Sequence, residues 1–225
     1  MKSDRTESLI ASLQRDLQPV RPVPRLRTHL GVFLATVVSL AGFVVALLAP
    51  RPDALTLLGQ IGPFAAIGGG LAMATLGAAL ASLASARPGR EWVALTASVA
   101  ASATLAVSAA AAALMLFDAT PATSMPEPAS QDLHCALIAI ALAVPPALLL
   151  ARLAGAAAPQ RPGWTGLLAA LGATALGALA VHLTCATPDR WHWLTSHALA
   201  PVAGAALLAV PLAWLLRHRP FARSV

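Results

Sequence analysis

Only two cysteines occur among the 225 residues, Cys135 and Cys185, and each has a histidine close to it in sequence. His134 directly precedes Cys135, and His182 precedes Cys185 by three residues, which is about one helical turn. Thiolate and imidazole ligands together favour soft or borderline metal ions such as zinc, cadmium or copper. Two thiols can also form a disulfide in an oxidising compartment. These residue types therefore indicate thiol redox chemistry or the binding of a soft metal ion.

Three interpretations of the two thiols remain open from the residues alone. A cysteine can be a small apolar packing residue, the pair can form a structural or redox-active disulfide, or the pair can bind a metal ion or an electrophile. Adjacent residues of a helix point to different faces, so His134 and Cys135 are not expected to turn towards one ion. A metal site would then use only some of four candidate ligands: Cys135, Cys185, His182 and His134.

Signatures of catalysis are missing from the sequence. It has no CxxC pair, no HExxH, no nucleophile elbow and no glycine loop of the phosphate-binding kind. We therefore expect that the chain is not an enzyme and that it uses no cofactor.

Six long apolar segments must position these residues, since 58% of the chain is hydrophobic and its mean hydropathy is +0.74. About 20 apolar residues are enough for a helix to cross a hydrocarbon core about 30 Å thick. The segments are 30–49, 58–84, 92–117, 133–153, 164–184 and 196–216. They predict an all-α, polytopic membrane protein with a bundle of six transmembrane helices. Cys135 opens the fourth predicted span, and Cys185 directly follows the fifth.

The positions of arginine and lysine predict the orientation of the bundle. Of the 15 cations, 13 lie in the two terminal tails and in the connections after the second and fourth spans. Only Arg51 and Arg190 lie in the remaining connections, and the third connection, 118–132, has three acids and no cation. By the positive-inside rule both termini are cytoplasmic and both thiols lie at the outer face. Abundant alanine and arginine indicate a GC-rich bacterial genome, so we expect the bacterial inner membrane.

The net charge of +6 is explained by this topology, so we expect contact of the cytoplasmic arginines with lipid and no direct binding to nucleic acid. Away from their ends, the apolar segments contain no Asp, Glu, Lys or Arg. Such residues mark ion pathways and proton relays, so a proton-coupled transporter is disfavoured. A small transporter or channel for a neutral or metal solute stays as the alternative function, beside a membrane thiol enzyme.

The N-terminal tail, residues 1–28, precedes a six-helix domain at 29–217 and a short C-terminal tail at 218–225. Residues 4–7 are of the kind that cap helices, and Pro19 would end the helix that follows. Between them, four residues at helical spacing predict an amphipathic helix of about three turns: Leu9, Ile10, Leu13 and Leu17. So short a helix is barely stable alone, so this apolar stripe needs a partner, either the membrane and bundle or a soluble protein.

Three features of the chain are shared with a known family. Residues 9–22 read LIASLQRDLQPVRP, Cys135 is followed ten residues later by Pro145, and the fifth span closes with His182-Leu183-Thr184-Cys185. With the six spans, these features resemble the NrsF family of membrane anti-sigma factors, which opens with LI-x-x-L-x-x-DL-x-PV-x-P. That family acts on an extracytoplasmic-function sigma factor of the F type.

The resemblance implies a function that the composition does not. The cytoplasmic tail would sequester the sigma factor, and Cys135 and Cys185 would take part in sensing stress, including stress from heavy metals. A soft metal ion would then be a signal rather than a resident cofactor. The stripe of the N-terminal helix is the expected contact with the sigma factor.

Overall fold

The computed structural model describes residues 2–16, 23–48, 50–117, 129–157, 159–185, 187 and 189–218. Within these residues all regular structure is helical. The elements are α1 (Lys2–Asp16), α2 (Leu26–Leu48), α3 (Ala54–Leu58), α4 (Pro63–Ser85), α5 (Glu91–Leu116), α6 (Ala129–Gly155), α7 (Pro162–Thr184), α8 (Arg190–His192), a π-helix (Trp193–Leu199) and α9 (Ala200–His218).

Six helical segments are long and apolar enough to cross a membrane. Five are α2, α4, α5, α6 and α7, and the sixth is the continuous run of α8, the π-helix and α9, Arg190–His218. The prediction of an all-α membrane protein with six spans is therefore confirmed. Several helices begin earlier than their apolar segments, because the helical hydrogen bonds continue into the polar residues that flank them.

Helix α7 lies at the centre of the bundle, where it packs against α4, α6 and α9. Buried residues make up 72% of the most apolar stretch of α7, whereas they make up only 17% of the corresponding stretch of α2. Helix α5 packs mainly on α4, and α2 contacts its neighbours sparsely. The first span is therefore a peripheral element attached to a tightly packed core.

Small residues allow the central helices to approach closely. A Cβ atom on Gly177 would lie 2.0 Å from the Ala139 carbonyl oxygen, so α6 and α7 touch through their backbones at this point. Gly70 gives α4 the same closeness to Ser108 of α5. The Thr174 hydroxyl donates across the bundle to the Pro201 carbonyl oxygen at 2.8 Å. Backbone contact and hydroxyl bonds of this kind hold helices together where lipid gives no hydrophobic driving force.

The bundle has two ends, which we name by the residues they carry. The tail end carries Leu26 and His218, and its core contains Phe33, Leu83 and Leu150. The thiol end carries Cys185 and contains a second cluster of buried apolar side chains, in which Cys135 and Cys185 are partly buried neighbours of Ile67, Leu71 and Val181. Both cysteines therefore pack at the same end of the bundle.

Helix α1 begins at Lys2, before residues 4–7 that were expected to cap it. Acidic side chains are favourable in the first turns of a helix, so Asp4 and Glu7 suit positions inside it. Leu9 and Ile10 are exposed on this helix. Leu17 and Pro19, which were predicted to close the stripe and the helix, lie outside the described residues, as does the side chain of Leu13.

Candidate thiol site

Cys185 is positioned by the end of α7. The helix stops at Thr184, and Cys185 itself is extended, with φ −77° and ψ 123°, while its N–H still donates to the Val181 carbonyl oxygen at 2.8 Å. Two residues later, the carbonyl oxygen of buried Thr187 accepts a hydrogen bond from the Trp193 indole at 2.8 Å. The segment that carries Cys185 is therefore tied to both the helix before it and the span after it.

His192 connects Cys185 to an acid on another helix. Its Nε2 lies 3.2 Å from the Cys185 sulfur, and its Nδ1 lies 2.6 Å from an oxygen of Asp132 at the start of the fourth span. An ionised carboxylate only accepts hydrogen bonds, so the Nδ1 proton points to Asp132 and a neutral ring turns the Nε2 lone pair towards the thiol. His192 is fully buried. The three side chains thus form one oriented chain of hydrogen bonds.

Cys135 belongs to the same group. The sulfur atoms of Cys135 and Cys185 and a ring nitrogen of His192 all lie within 4.8 Å of one another. No S–S bond joins the two cysteines in this structure. Since a disulfide has an S–S length of about 2.05 Å, the sulfurs need to approach by no more than about 3 Å to form one. The thiols are therefore close enough for a small rearrangement to join them.

The π-helix turns the histidines of the sixth span into the bundle. In an α-helix, residues five apart point about 140° away from each other. The π-helix is more loosely wound, with hydrogen bonds between residues five apart such as Ala200 N–H to the Thr195 carbonyl oxygen, so residues five apart lie closer to one face than in an α-helix. The rings of His192 and His197 accordingly lie 5.2 Å apart, and both residues are buried.

A cluster of buried rings extends from the thiol site to α4. The His182 ring lies 5.2 Å from that of His197 and stacks on Phe64 with ring centres 4.1 Å apart. His182 Nε2 is also 3.0 Å from the Phe64 carbonyl oxygen, which implies that this nitrogen carries a proton. His197 Nδ1 is buried and has no hydrogen-bond partner among the described residues. The cluster joins α4, α7 and the sixth span.

The structure brings together only some of the predicted ligands. Cys135 and Cys185 converge, but His182 bonds to Phe64 instead, because Cys185 lies beyond the helix end and the one-turn relation with His182 is lost. His134 is exposed on α6, as expected for a residue adjacent to Cys135 on a helix. The third ligand-type group beside the thiols is His192.

Two residues of the site, His192 and Asp132, were missed by the sequence reasoning. His192 was not among the four candidate ligands. Trp191 beside it is exposed, but His192 is buried just before the π-helix. Asp132 was counted only as an acid of the third connection. Its position three residues before Cys135, on the same face of a helix, is the signal that could have found it.

The surroundings of Cys185 change the acidity of its thiol. Burial raises the pKa of Cys185, while hydrogen bonds with His192 and Thr187 lower it more, to about 7 from an ordinary value of 9. A thiolate is the reactive form of cysteine towards metal ions, oxidants and electrophiles. The site can therefore present a thiolate near neutral pH.

The arrangement allows two kinds of chemistry. A soft ion could be surrounded by two sulfurs and one imidazole nitrogen, with Asp132 on the far side of the imidazole ring. Alternatively, an oxidant could convert the two thiols into a disulfide. Both reactions would draw α6 towards the end of α7, and ion binding would also involve the start of the sixth span.

Arg51, after α2, ties the first span to the same site. Its backbone N–H donates to the Leu183 carbonyl oxygen at 3.1 Å, and its guanidinium donates to the Cys185 carbonyl oxygen at 3.3 Å. Asp53 accepts two further hydrogen bonds from this guanidinium, at 2.6 and 2.9 Å. Arg51, one of the two cations that the charge pattern assigned to the same side as the thiols, therefore binds the backbone of Cys185.

The chain matches a known protein family. The family model NrsF, described as negative regulator of sigma F, matches residues 13–218, which is nearly the whole chain. No curated protein and no solved structure matches the chain. The matched range includes all six spans and every residue of the thiol site.

Proposed function

Because the chain belongs to the NrsF family of negative regulators of sigma F, we propose that it is a membrane sensor that sequesters an extracytoplasmic-function sigma factor. In this proposal, soft metal ions or oxidants react with Cys135 and Cys185, and the sigma factor is then released. Negative regulation of a sigma factor follows from the family itself. The class of sigma factor, the signal and the binding segment are the parts that we add.

Both termini lie in the cytoplasm of a bacterium in this proposal, and the thiol end faces the outside of the inner membrane. The support is the distribution of cations, of which 13 belong to the tail end and its connections. This orientation puts the thiols in an oxidising compartment and the tail where a sigma factor is found. It separates the sensing group from the binding segment by the thickness of the membrane.

The sigma factor binds the N-terminal helix α1 in this proposal. Leu9 and Ile10 expose apolar surface on α1, and an amphipathic helix commonly binds a partner by laying such a face into a groove. Leu13 and Leu17 continue the same stripe in the sequence. Holding the sigma factor on this helix keeps it at the membrane and away from RNA polymerase. No catalytic step is needed for this function.

The observation that carries the sensing proposal is the convergence of the only two cysteines with His192 at one end of the bundle. Modification of this group changes the packing of α6 against the end of α7. Release needs little energy, since a tenfold loss of affinity corresponds to about 1.4 kcal/mol. Closing a disulfide or binding an ion across two helices is sufficient for a coupling of that size.

Release of the sigma factor from the purified complex tests this function. The complex of the full chain with its F-type sigma factor is treated with cadmium or hydrogen peroxide, and the sigma factor that remains bound is measured. We expect release from the wild type and none from the double variant Cys135→Ser and Cys185→Ser, which must still bind the sigma factor before treatment. Undiminished release from the double variant would show that the thiols are not the sensor.

A further inference from the structure

Cys185 is one end of a hydrogen-bonded chain that resembles an activated nucleophile. Its sulfur lies 3.2 Å from His192 Nε2, and Asp132 lies 2.6 Å from the opposite nitrogen of the same ring. A nucleophile beside a base that is itself oriented by a third group is the general arrangement for activating a thiol. The carboxylate fixes the ring so that its proton-accepting nitrogen faces the sulfur.

Access and burial are arranged to suit this reaction. Cys185 is only partly buried and lies just beyond the end of α7, which favours the approach of a small oxidant. His192 is fully buried between the thiol and Asp132, so its orientation is held by packing as well as by hydrogen bonds. Asp132 is held in turn, since the Ser196 hydroxyl donates to its carbonyl oxygen at 3.0 Å. Three elements therefore fix the geometry of one thiol.

We propose that Cys185 reacts first with a hydroperoxide and that Cys135 then closes the disulfide, with His192 as the base that accepts the thiol proton and Asp132 as the residue that positions His192. This inference rests on the proposed function, because it concerns the thiols to which sensing is assigned. It adds the order in which the two cysteines react, a class of oxidant and two residues that determine which sulfur is oxidised first.

The first step oxidises one sulfur. The Cys185 sulfur attacks an oxygen of the hydroperoxide, so that an S–O bond forms and the O–O bond breaks. The sulfur loses two electrons, and the peroxide gains them. The thiol proton passes to His192 Nε2 and then to the departing oxygen. The products are a Cys185 sulfenic acid and either water, from hydrogen peroxide, or an alcohol, from an organic hydroperoxide.

The second step joins the helices. The Cys135 sulfur attacks the Cys185 sulfur, an S–S bond forms and the S–O bond breaks. The hydroxide leaves with the proton of the Cys135 thiol, as water. The short separation of the group, within 4.8 Å, makes this capture possible without unfolding of either helix. The two steps together turn two thiols and one hydroperoxide into a disulfide, water, and a second water or an alcohol.

Trapping of the sulfenic acid in single-cysteine variants tests the order. Reduced full-length protein in detergent is exposed to hydrogen peroxide with dimedone, and labelling of each cysteine is followed by mass spectrometry. Cys135→Ser leaves the Cys185 intermediate without its partner, so we expect fast labelling of Cys185. In Cys185→Ser we expect labelling of Cys135 to be at least about tenfold slower, because a positioned base contributes that much or more.

The role of His192 is tested in the Cys135→Ser background. We expect His192→Gln to slow labelling of Cys185 about tenfold. His134→Gln, the matched control at an exposed histidine beside position 135, should leave the rate unchanged. A merely structural loss would loosen the site and speed labelling, so a slower reaction identifies His192 as the base that activates the thiol. Should His192→Gln fail to fold, the comparison of the two single-cysteine variants still decides the order.

Binding of the sigma factor to the wild-type protein, measured after the same treatment with hydrogen peroxide, separates this inference from the proposed function. If Cys185 is labelled faster in the variants but the oxidised wild type keeps its sigma factor bound, the proposed order of the two cysteines stands and the sensing function fails. If the sigma factor is released while Cys135 is labelled first or equally fast, the proposed order of the two cysteines is wrong. An unchanged Cys185 rate in a folded His192→Gln variant would likewise overturn the inference.

Discussion

Leu9 and Ile10 are the described side chains of the apolar stripe on α1, and they expose 59% and 48% of their surface. Two large apolar side chains that lie next to each other on a short helix favour burial against a partner over exposure to water. The proposed sigma-factor contact gives them a partner. Ala11, on the same helix and also exposed, lies outside the stripe and serves as a reference position.

We expect Leu9→Asp to reduce co-purification of the sigma factor at least tenfold. A buried interface leucine contributes about 1.5–3 kcal/mol, and an unpaired carboxylate in an apolar groove adds a further cost. The measurement is the amount of sigma factor recovered with the membrane protein. Ala11→Asp, which adds the same charge off the stripe, should keep recovery near the wild type. Equal recovery from the two variants would contradict the assignment of the stripe.

The residues of the thiol site were only half predictable. The two cysteines stand out because they are the only thiols in the chain, and the charge pattern predicted that they share one end. His192 could not be chosen, because α-helical spacing puts it and His197 on different faces, and nothing local in the sequence signals a π-helix. The pairing of Asp132 with His192 joins residues 60 positions apart, so it depends on packing that no single segment specifies.

Helix α2 makes few packing contacts along its length, but hydrogen bonds connect both of its ends to the rest of the bundle. At the thiol end, Arg51 binds the Leu183 and Cys185 carbonyl oxygens. At the tail end, the Arg87 guanidinium donates to His29 Nδ1 at 2.6 Å and to the Pro24 carbonyl oxygen at 3.4 Å. A helix held in this way can pass a displacement from Cys185 to the segment that leads to α1.

Arg51→Gln should therefore uncouple oxidation from release. A hydrogen bond to a charged group contributes about 1.5–3 kcal/mol, which exceeds the 1.4 kcal/mol of a tenfold effect. We expect normal disulfide formation with hydrogen peroxide but at least tenfold less release of the sigma factor, measured on the same complex. Arg190→Gln removes the same charge from the same end and should release normally. Wild-type release from Arg51→Gln would show that α2 does not carry the signal.

The long helices were the most predictable elements, because about 20 consecutive apolar residues leave a helix as the only stable form in lipid. Their number and order agree with the sequence analysis. The short helix α3 and the π-helix were not predicted, since each depends on hydrogen bonds at the thiol end rather than on hydrophobic pattern. The central place of α7 also came only from the structure, although its glycines and alanines suit close packing.

The whole bundle depends on backbone contact between its central helices, and the contact of α6 with α7 also sets the distance between the thiols. Gly177 meets the Ala139 carbonyl oxygen at a point one helical turn from Cys135. Because Cys135 and Cys185 lie at the same end of these two helices, any widening of the crossing separates the sulfurs. The stability of the bundle and the geometry of the thiols thus depend on the same glycine.

Gly177→Ala should lower both the stability and the rate of disulfide formation. The new Cβ would lie 2.0 Å from the Ala139 oxygen, so α6 must shift, and overpacking of this kind costs about 1–3 kcal/mol. For a chain of this size each kcal/mol lowers the thermal midpoint by about 2–4 °C. We expect a drop of several degrees in detergent, with slower oxidation by hydrogen peroxide. Gly163→Ala, on the same helix with no atom within 4 Å, is the control and should change neither. If Gly177→Ala and Gly163→Ala oxidise and unfold alike, the α6–α7 crossing does not set the thiol geometry.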